Sequence, residues 1–174
     1  MPKSPTILCK MSVAILSAPM LALALTGCGE QSSAAPKASS ATPAGKTAEE
    51  PEWLADYAAA LALSKSTGKP ILADFTGSDW CGWCIKLKEE VFETKEFATW
   101  AAANVVLLEV DFPNEKPQTD SLRQQNAGLA EKFGVESYPS ILFIDSSGTK
   151  IGQTGYVPGG PAAWIETANK ALGK

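Results

Sequence analysis

The chain predicts an α/β domain, a central mixed sheet flanked by helices, behind a long N-terminal segment that does not join the fold. Three observations predict it. Short apolar runs alternate with helix-length stretches from about residue 51 onwards. Val105–Asp111 carries Val-Val-Leu-Leu, which suits a strand buried on both faces, as in a parallel pair. Ser146-Ser147-Gly148 separates two strand-like runs and reads as the turn of an antiparallel hairpin.

Each element follows from its residues. Trp53 to Thr67 is rich in Ala and Leu, with Leu54, Tyr57, Leu61 and Ser64 at helical spacing and Gly68 as its stop. Pro70 to Thr76 is a short apolar strand. A helix begins near Cys81 or Gly82 and carries Cys84, Leu87 and Val91 on one face, a stripe that Phe92 extends. Lys86, Lys88, Glu89 and Glu90 then form a solvated face. Lys95 to Ala103 is helical, with Phe97 and Trp100 packing inward. After the strand at 105–111, the stretch Pro113–Thr119 is polar, holds two prolines and is a loop. Asp120 to Phe133 is a helix capped by Gly134. Strands at 140–145 and 149–153 form the hairpin, and Pro161 starts a last helix that runs to Leu172. The first two strands, joined through a helix, form a right-handed parallel unit. Their carboxyl ends share one edge, which brings the 112–119 loop towards Cys81.

The chemistry sits in Trp80-Cys81-Gly82-Trp83-Cys84, where a strand turns into a helix. A Cys-x-x-Cys at such a place is a redox-active dithiol. The first sulfur is expected to sit exposed at the helix N-terminus, clear of the core, where backbone N–H groups and the helix dipole favour its thiolate. The second lies about one turn inside, on the core side, ready to attack a mixed disulfide. Half a zinc site is the competing reading, but a structural zinc needs four ligands. The chain has no His, and its other cysteines, Cys9 and Cys28, lie in the N-terminal segment. No metal site is expected. The missing His also excludes Ser-His-Asp and Cys-His catalysis.

The N-terminus reads as an address. Lys3 and Lys10 precede an apolar run of 15 residues, Met11 to Leu25, too short to span a membrane comfortably and suited to a signal-peptide core. Leu25-Thr26-Gly27-Cys28 follows and resembles the lipobox of bacterial lipoproteins, in which cleavage exposes a Cys that is then acylated. Residues 1–27 are thus expected to be a signal peptide and Cys28 a lipid anchor, each buried CH₂ contributing about 0.8 kcal/mol. By resemblance to Gram-negative sorting, Gly29 in place of Asp leans towards the outer membrane. Residues 28–50 form the lipidated Cys and a flexible linker. Positions 29–50 hold Ala as their one apolar type and cannot bury enough surface to fold. Those 22 residues would span roughly 26 Å. Removal of residues 1–27 takes the formal charge from −4 to −6, which gives no support for nucleic-acid binding. The folded domain is then 51–174.

Residues 53–172 resemble the thioredoxin family. The likeness rests on the Trp80–Cys84 segment after a strand, on Gly134-Val135-Glu136-Ser137-Tyr138-Pro139-Ser140, which looks like the family's cis-proline segment, and on the closing hairpin and helix. Phe75-Thr76-Gly77-Ser78-Asp79-Trp80-Cys81 looks most like secreted bacterial members. The resemblance implies a thioredoxin fold and a thiol–disulfide oxidoreductase that needs no cofactor beyond its own Cys81–Cys84 disulfide. Cys81 would be the nucleophile, Cys84 the resolving thiol, and Pro139 a cis residue facing the disulfide. Trp80, Gly82, Trp83 and Tyr138 would line the substrate surface, with Trp80 the one more given to packing. Asp74 matches the family's buried acid, with a catalytic or a structural role, although it stands one position further from the first Cys than the family pattern has it. The family's lysine near that acid is not evident, since the neighbouring strand reads Leu107-Leu108-Glu109-Val110. Asp79, close to the thiols, would oppose a very low Cys81 pKa. The implied partners are protein thiols and disulfides, a membrane or periplasmic thiol as electron donor, and the lipid bilayer through Cys28, with the protein acting as a monomer outside the cytoplasm. Three activities stay open at this point: reduction or exchange of disulfides, oxidation or isomerisation, and a non-catalytic binding or chaperone role.

Overall fold

The computed structural model describes residues 51–174. The expected signal segment 1–27, the acylation candidate Cys28 and the linker to residue 50 lie outside the described residues.

The elements run β1 (Trp53–Leu54), α1 (Tyr57–Thr67), β2 (Ile71–Thr76), α2 (Gly82–Leu87), a π-helical turn (Lys88–Phe92), α3 (Lys95–Asn104), β3 (Val106–Asp111), α4 (Asp120–Phe133), β4 (Ser140–Ile144), β5 (Lys150–Thr154) and α5 (Gly160–Ala171). The sheet order is β1-β3-β2-β4-β5. β3 pairs in parallel with β1 and β2, while β4 runs antiparallel to β2 and β5. This is the mixed sheet of the thioredoxin fold.

Local chemistry sets the helix ends. Asp56 and Thr94 cap α1 and α3 by accepting the backbone N–H of Ala59 and Phe97. α1 and α4 stop at Gly68 and Gly134, both with positive φ, a conformation that costs glycine nothing. β2 is central and all six of its residues are buried. Its alternation divides two cores. Leu72 joins Leu87, Val91, Phe92, Phe97, Ile141 and Trp164 on the face that carries α2, α3 and α5. Ile71, Ala73 and Phe75 join Ala60 of α1 and Leu129 of α4 on the other.

Three features differ from the sequence expectation. Trp53 and Leu54 are not the start of α1 but a two-residue edge strand on β3. Their helical spacing with Tyr57 is shared by any partly buried pair, so periodicity does not separate the two states. The helix that follows Cys81 does not stay α-helical either. The Glu93 N–H bonds the Lys88 carbonyl at 3.0 Å, five residues back, which widens the turn before Thr94. The stripe Cys84, Leu87, Val91 and Phe92 is buried across that change. The second hairpin strand lies one residue later than expected, with an irregularity at Phe143/Ile144 on its partner.

Candidate active site

The site lies where β2 runs out. The Cys81 N–H donates to the Gly77 carbonyl at 2.9 Å, and the chain turns there into α2. Cys81 is the N-cap in extended conformation, and its Sγ accepts the Cys84 N–H at 3.2 Å. Cys81 and Cys84 are joined as a disulfide with their Cα atoms 5.2 Å apart. When the bond is reduced, that same N–H faces the sulfur that carries the negative charge. Cys84 is 5% exposed, as its place on the core stripe requires, but Cys81 is only 7% exposed. The expectation that it would stand clear of the core needs that correction. In the disulfide its sulfur folds back onto its own helix rather than out into solvent.

The turn Gly77–Trp80 is braced against the loop after β3. Ser78 donates through its N–H and its hydroxyl to the two carboxylate oxygens of Asp111, at 2.9 and 2.6 Å. Asp79 accepts the N–H groups of Asn114, Glu115 and Lys116 at 2.8–3.0 Å. Those bonds hold its carboxyl below the ordinary aspartate value. Asp79 is therefore an anion whose charge is spent on the loop. The 112–119 loop does reach the site, as its place at the strand ends predicts.

Aromatic rings frame the disulfide. Trp80 donates its indole N–H to the Phe112 carbonyl at 2.7 Å and meets Tyr138 edge to face at 5.8 Å. Its ring also lies over Gly77, where a Cβ would collide with it. Trp80 packs, while still 46% exposed. Trp83 is freer, at 58%. It leans on Tyr156 at 5.0 Å, and the Lys86 ammonium sits 5.3 Å from both rings. Tyr156 donates to Glu90 at 2.7 Å. Tyr156 and Glu90 together hold the Lys86 ammonium above its usual value. The Tyr138–Pro139 bond is cis. Burial pushes the Tyr138 hydroxyl up, so it stays neutral. At Gly82 a side chain would point into open space, so no steric demand requires glycine there.

Asp74 lies on the sheet face that carries α2. It is 7% exposed, and its Oδ1 has no hydrogen-bond partner. Burial first, then the nearby charges of Glu109 and Asp111, push its pKa from 3.8 up to about 8. Lys88 is the cation that opposes this. Glu109 stands beside Asp74 in register on β3 and is itself pushed up, mainly by burial. The positive charge that acts on the acid thus comes from the helical turn, while the strand supplies the carboxylates. Lys88 is exposed, on the solvated face that the sequence predicts, and its charge acts on the acid from there. The sequence holds a signal of that reach, since Lys88 lies four residues after Cys84, on the same side of the helix.

A redox disulfide at the N-terminus of a helix, on a chain that also holds a cis Tyr138–Pro139 bond and a buried acid on the strand before that helix, defines a dithiol protein on a thioredoxin scaffold. The thioredoxin-like domain model matches residues 57–169, well over half of the chain, and the chain belongs to the thioredoxin family. It is similar to the disulfide bond reductase DsbH of Chlamydia pneumoniae, 40% identical over 116 residues, which cover 67% of this chain and 70% of that protein. A solved structure titled DsbH oxidoreductase superposes with a TM-score of 0.68 at 39% identity, over 71% of this chain and 85% of that one. The thioredoxin-related protein DsbJ of the same organism is 36% identical over 103 residues, 59% of this chain and 30% of that longer protein. The chain is a thiol–disulfide oxidoreductase, and its Cys81–Cys84 pair forms the redox disulfide.

Proposed function

We propose that this protein reduces disulfides in extracytoplasmic proteins, held to a bacterial membrane through an acylated Cys28. The observation that carries the chemistry is the Cys81–Cys84 disulfide at the N-terminus of α2, with the Cys84 N–H aimed at the Cys81 sulfur. The reductive direction is supported by likeness to a protein named a disulfide bond reductase over most of the length of both.

Cys81, as thiolate, attacks a substrate disulfide and forms a mixed disulfide. Cys84 then attacks the Cys81 sulfur, the substrate leaves as a thiol, and the protein is left oxidised. Asp74, behind the pair, takes the Cys84 proton. Trp83, Tyr138 and Pro139 form the surface on which the substrate lies, with Trp80 and Gly82 at its rim. A reductase of this kind needs a thiol donor, in the membrane or the periplasm, to return it to the dithiol form.

Insulin reduction by the protein tests this reading. Cys81→Ala is expected to lower the rate at least 100-fold, since the nucleophile itself is lost. Cys84→Ala is expected to stall with substrate covalently attached through Cys81, visible as a thiol-sensitive band. Retained turnover in Cys81→Ala would refute the assignment.

A further inference from the structure

Asp79 stands two residues before Cys81, and its carboxylate is turned towards the loop that follows β3. Its two oxygens accept three successive backbone N–H groups, from Asn114 at 2.9 Å, Glu115 at 2.8 Å and Lys116 at 3.0 Å. Converging backbone N–H groups make a concavity for an anion, and here the protein fills it with its own. Bonds from N–H groups to a carboxylate are among the strong ones. These three, the one from Asn114 first, hold the carboxyl below its ordinary range, so the clasp is fully charged at neutral pH. Ser78 reinforces it with two bonds to Asp111, and the Lys116 ammonium returns to the Ser78 hydroxyl at 2.9 Å. Residues 114–117 are exposed. With so little of it buried, the loop depends on hydrogen bonds rather than on a core for its place.

The clasped loop leads to the disulfide. Its first residue, Phe112, donates its N–H to the Thr76 carbonyl at 2.9 Å and accepts the Trp80 indole N–H on its own carbonyl. The Phe112 ring meets Tyr138 at 5.2 Å, and Tyr138 meets Trp80 at 5.8 Å. Trp80 precedes Cys81, and Tyr138 precedes the cis-proline. Three rings from three separate segments thus stand together, and the join between the 77–80 turn and the loop is their common support.

We propose that Asp79 is a positioning residue for protein substrates, whose carboxylate holds the 112–119 loop, and through Phe112 the Trp80–Tyr138 pair, as a preformed side of the surface on which a polypeptide disulfide docks. The proposal rests on the dithiol reading above and deepens it. Without the carboxylate the empty loop moves, docking must order it, and that cost falls on binding. The sulfurs keep their own supports, the Cys81 N–H on the Gly77 carbonyl and the Cys84 N–H on the Cys81 sulfur. A small disulfide reaches the sulfurs without covering the loop, so it does not feel the change. The competing role for Asp79 is electrostatic, an anion that opposes the Cys81 thiolate from two residues away. That role predicts a shift in reduction potential and in the rate with small disulfides once the charge is removed. Positioning predicts neither.

The test compares full-length wild type, Asp79→Ala and Asp79→Asn, the last keeping the shape and one acceptor oxygen in case the first does not fold. Asp79→Ala is expected to speed hydrogen exchange at the Asn114, Glu115 and Lys116 amides at least about tenfold. Its KM for insulin is expected to rise about tenfold with kcat within about twofold of wild type. Its turnover of hydroxyethyl disulfide and its reduction potential are expected to match wild type, and Asp79→Asn to fall between the two. Carboxymethylated insulin B chain, which cannot exchange, is titrated against the oxidised proteins by Trp fluorescence. It is expected to bind Asp79→Ala about tenfold more weakly than wild type. Unmoved amides would overturn the positioning role. So would faster amides with an unchanged insulin KM, an equal loss on both disulfides, or a shifted potential. Should wild type reduce neither disulfide, the fault lies with the dithiol reading. The B-chain titration then decides the role of Asp79 alone, and equal binding by wild type and variant, or none by either, counts against it.

Discussion

Asp74 is the residue at which folding and chemistry pull against each other. A carboxyl this deep in the sheet binds its proton more tightly in the folded chain than in the unfolded one, with a pKa of about 8 against 3.8. Stability present below about pH 4 is therefore lost progressively as the pH climbs towards 8. At neutral pH the cost is on the order of 4 kcal/mol, since each tenfold change in proton affinity is worth about 1.4 kcal/mol. Asp74→Asn removes the titration and keeps the shape. In urea unfolding of the oxidised protein, Asp74→Asn is expected to exceed wild type by a few kcal/mol at pH 7.5 and to match it near pH 4. A gap that does not change with pH would show that the buried acid is not the source. The sequence shows an acid in an apolar strand, which marks it as unusual. It does not show what faces the acid, because Glu109 and Lys88 arrive from a neighbouring strand and a widened helix turn.

At the scale of elements, the strand–turn–helix unit around Cys81 is legible because each residue has a local reason to be there. An apolar run makes the strand, and Cys81 opens the helix by capping it with its own sulfur. The extra residue between Asp74 and Cys81 is absorbed by Gly77-Ser78-Asp79, and the structure gives that insert a task. Ser78 and Asp79 bind the loop after β3, and Gly77 leaves room for the Trp80 ring. Gly77→Ala forces the indole away from the Phe112 carbonyl, an overpacking expected to cost about 1–3 kcal/mol. Thermal unfolding reads that loss, and Trp fluorescence reads the movement of Trp80. Wild-type values for both would mean that the indole has a second resting place. What local sequence could not supply is the edge strand β1 and the π turn. A two-residue strand has no period of its own, and the widened turn is a matter of one hydrogen bond, five residues back in place of four.

For the whole molecule, the fold was the more legible part. Three parallel or antiparallel pairings follow from strands whose apolar runs and hairpin turn are plain in the sequence, and the order of elements then allows few topologies. The direction of electron flow is a different kind of property. It depends on how strongly the fold favours the Cys81 thiolate over the disulfide, through the helix end, the surrounding rings and the buried acid together. Among the described residues, the helix N-terminus is the feature that faces the Cys81 sulfur with positive charge, through the Cys84 N–H. Lys86, the nearby ammonium, is engaged with Trp83, Tyr156 and Glu90. The reducing direction proposed for the dithiol is therefore a question of its potential, not of any one contact. The most direct measurement is the reduction potential of the Cys81–Cys84 pair, by equilibration with a defined dithiol buffer and Trp80 and Trp83 fluorescence as reporters. A reducing dithiol predicts a value near that of thioredoxin, about −270 mV, and a value near −120 mV would contradict it and mark the protein as a donor of disulfides.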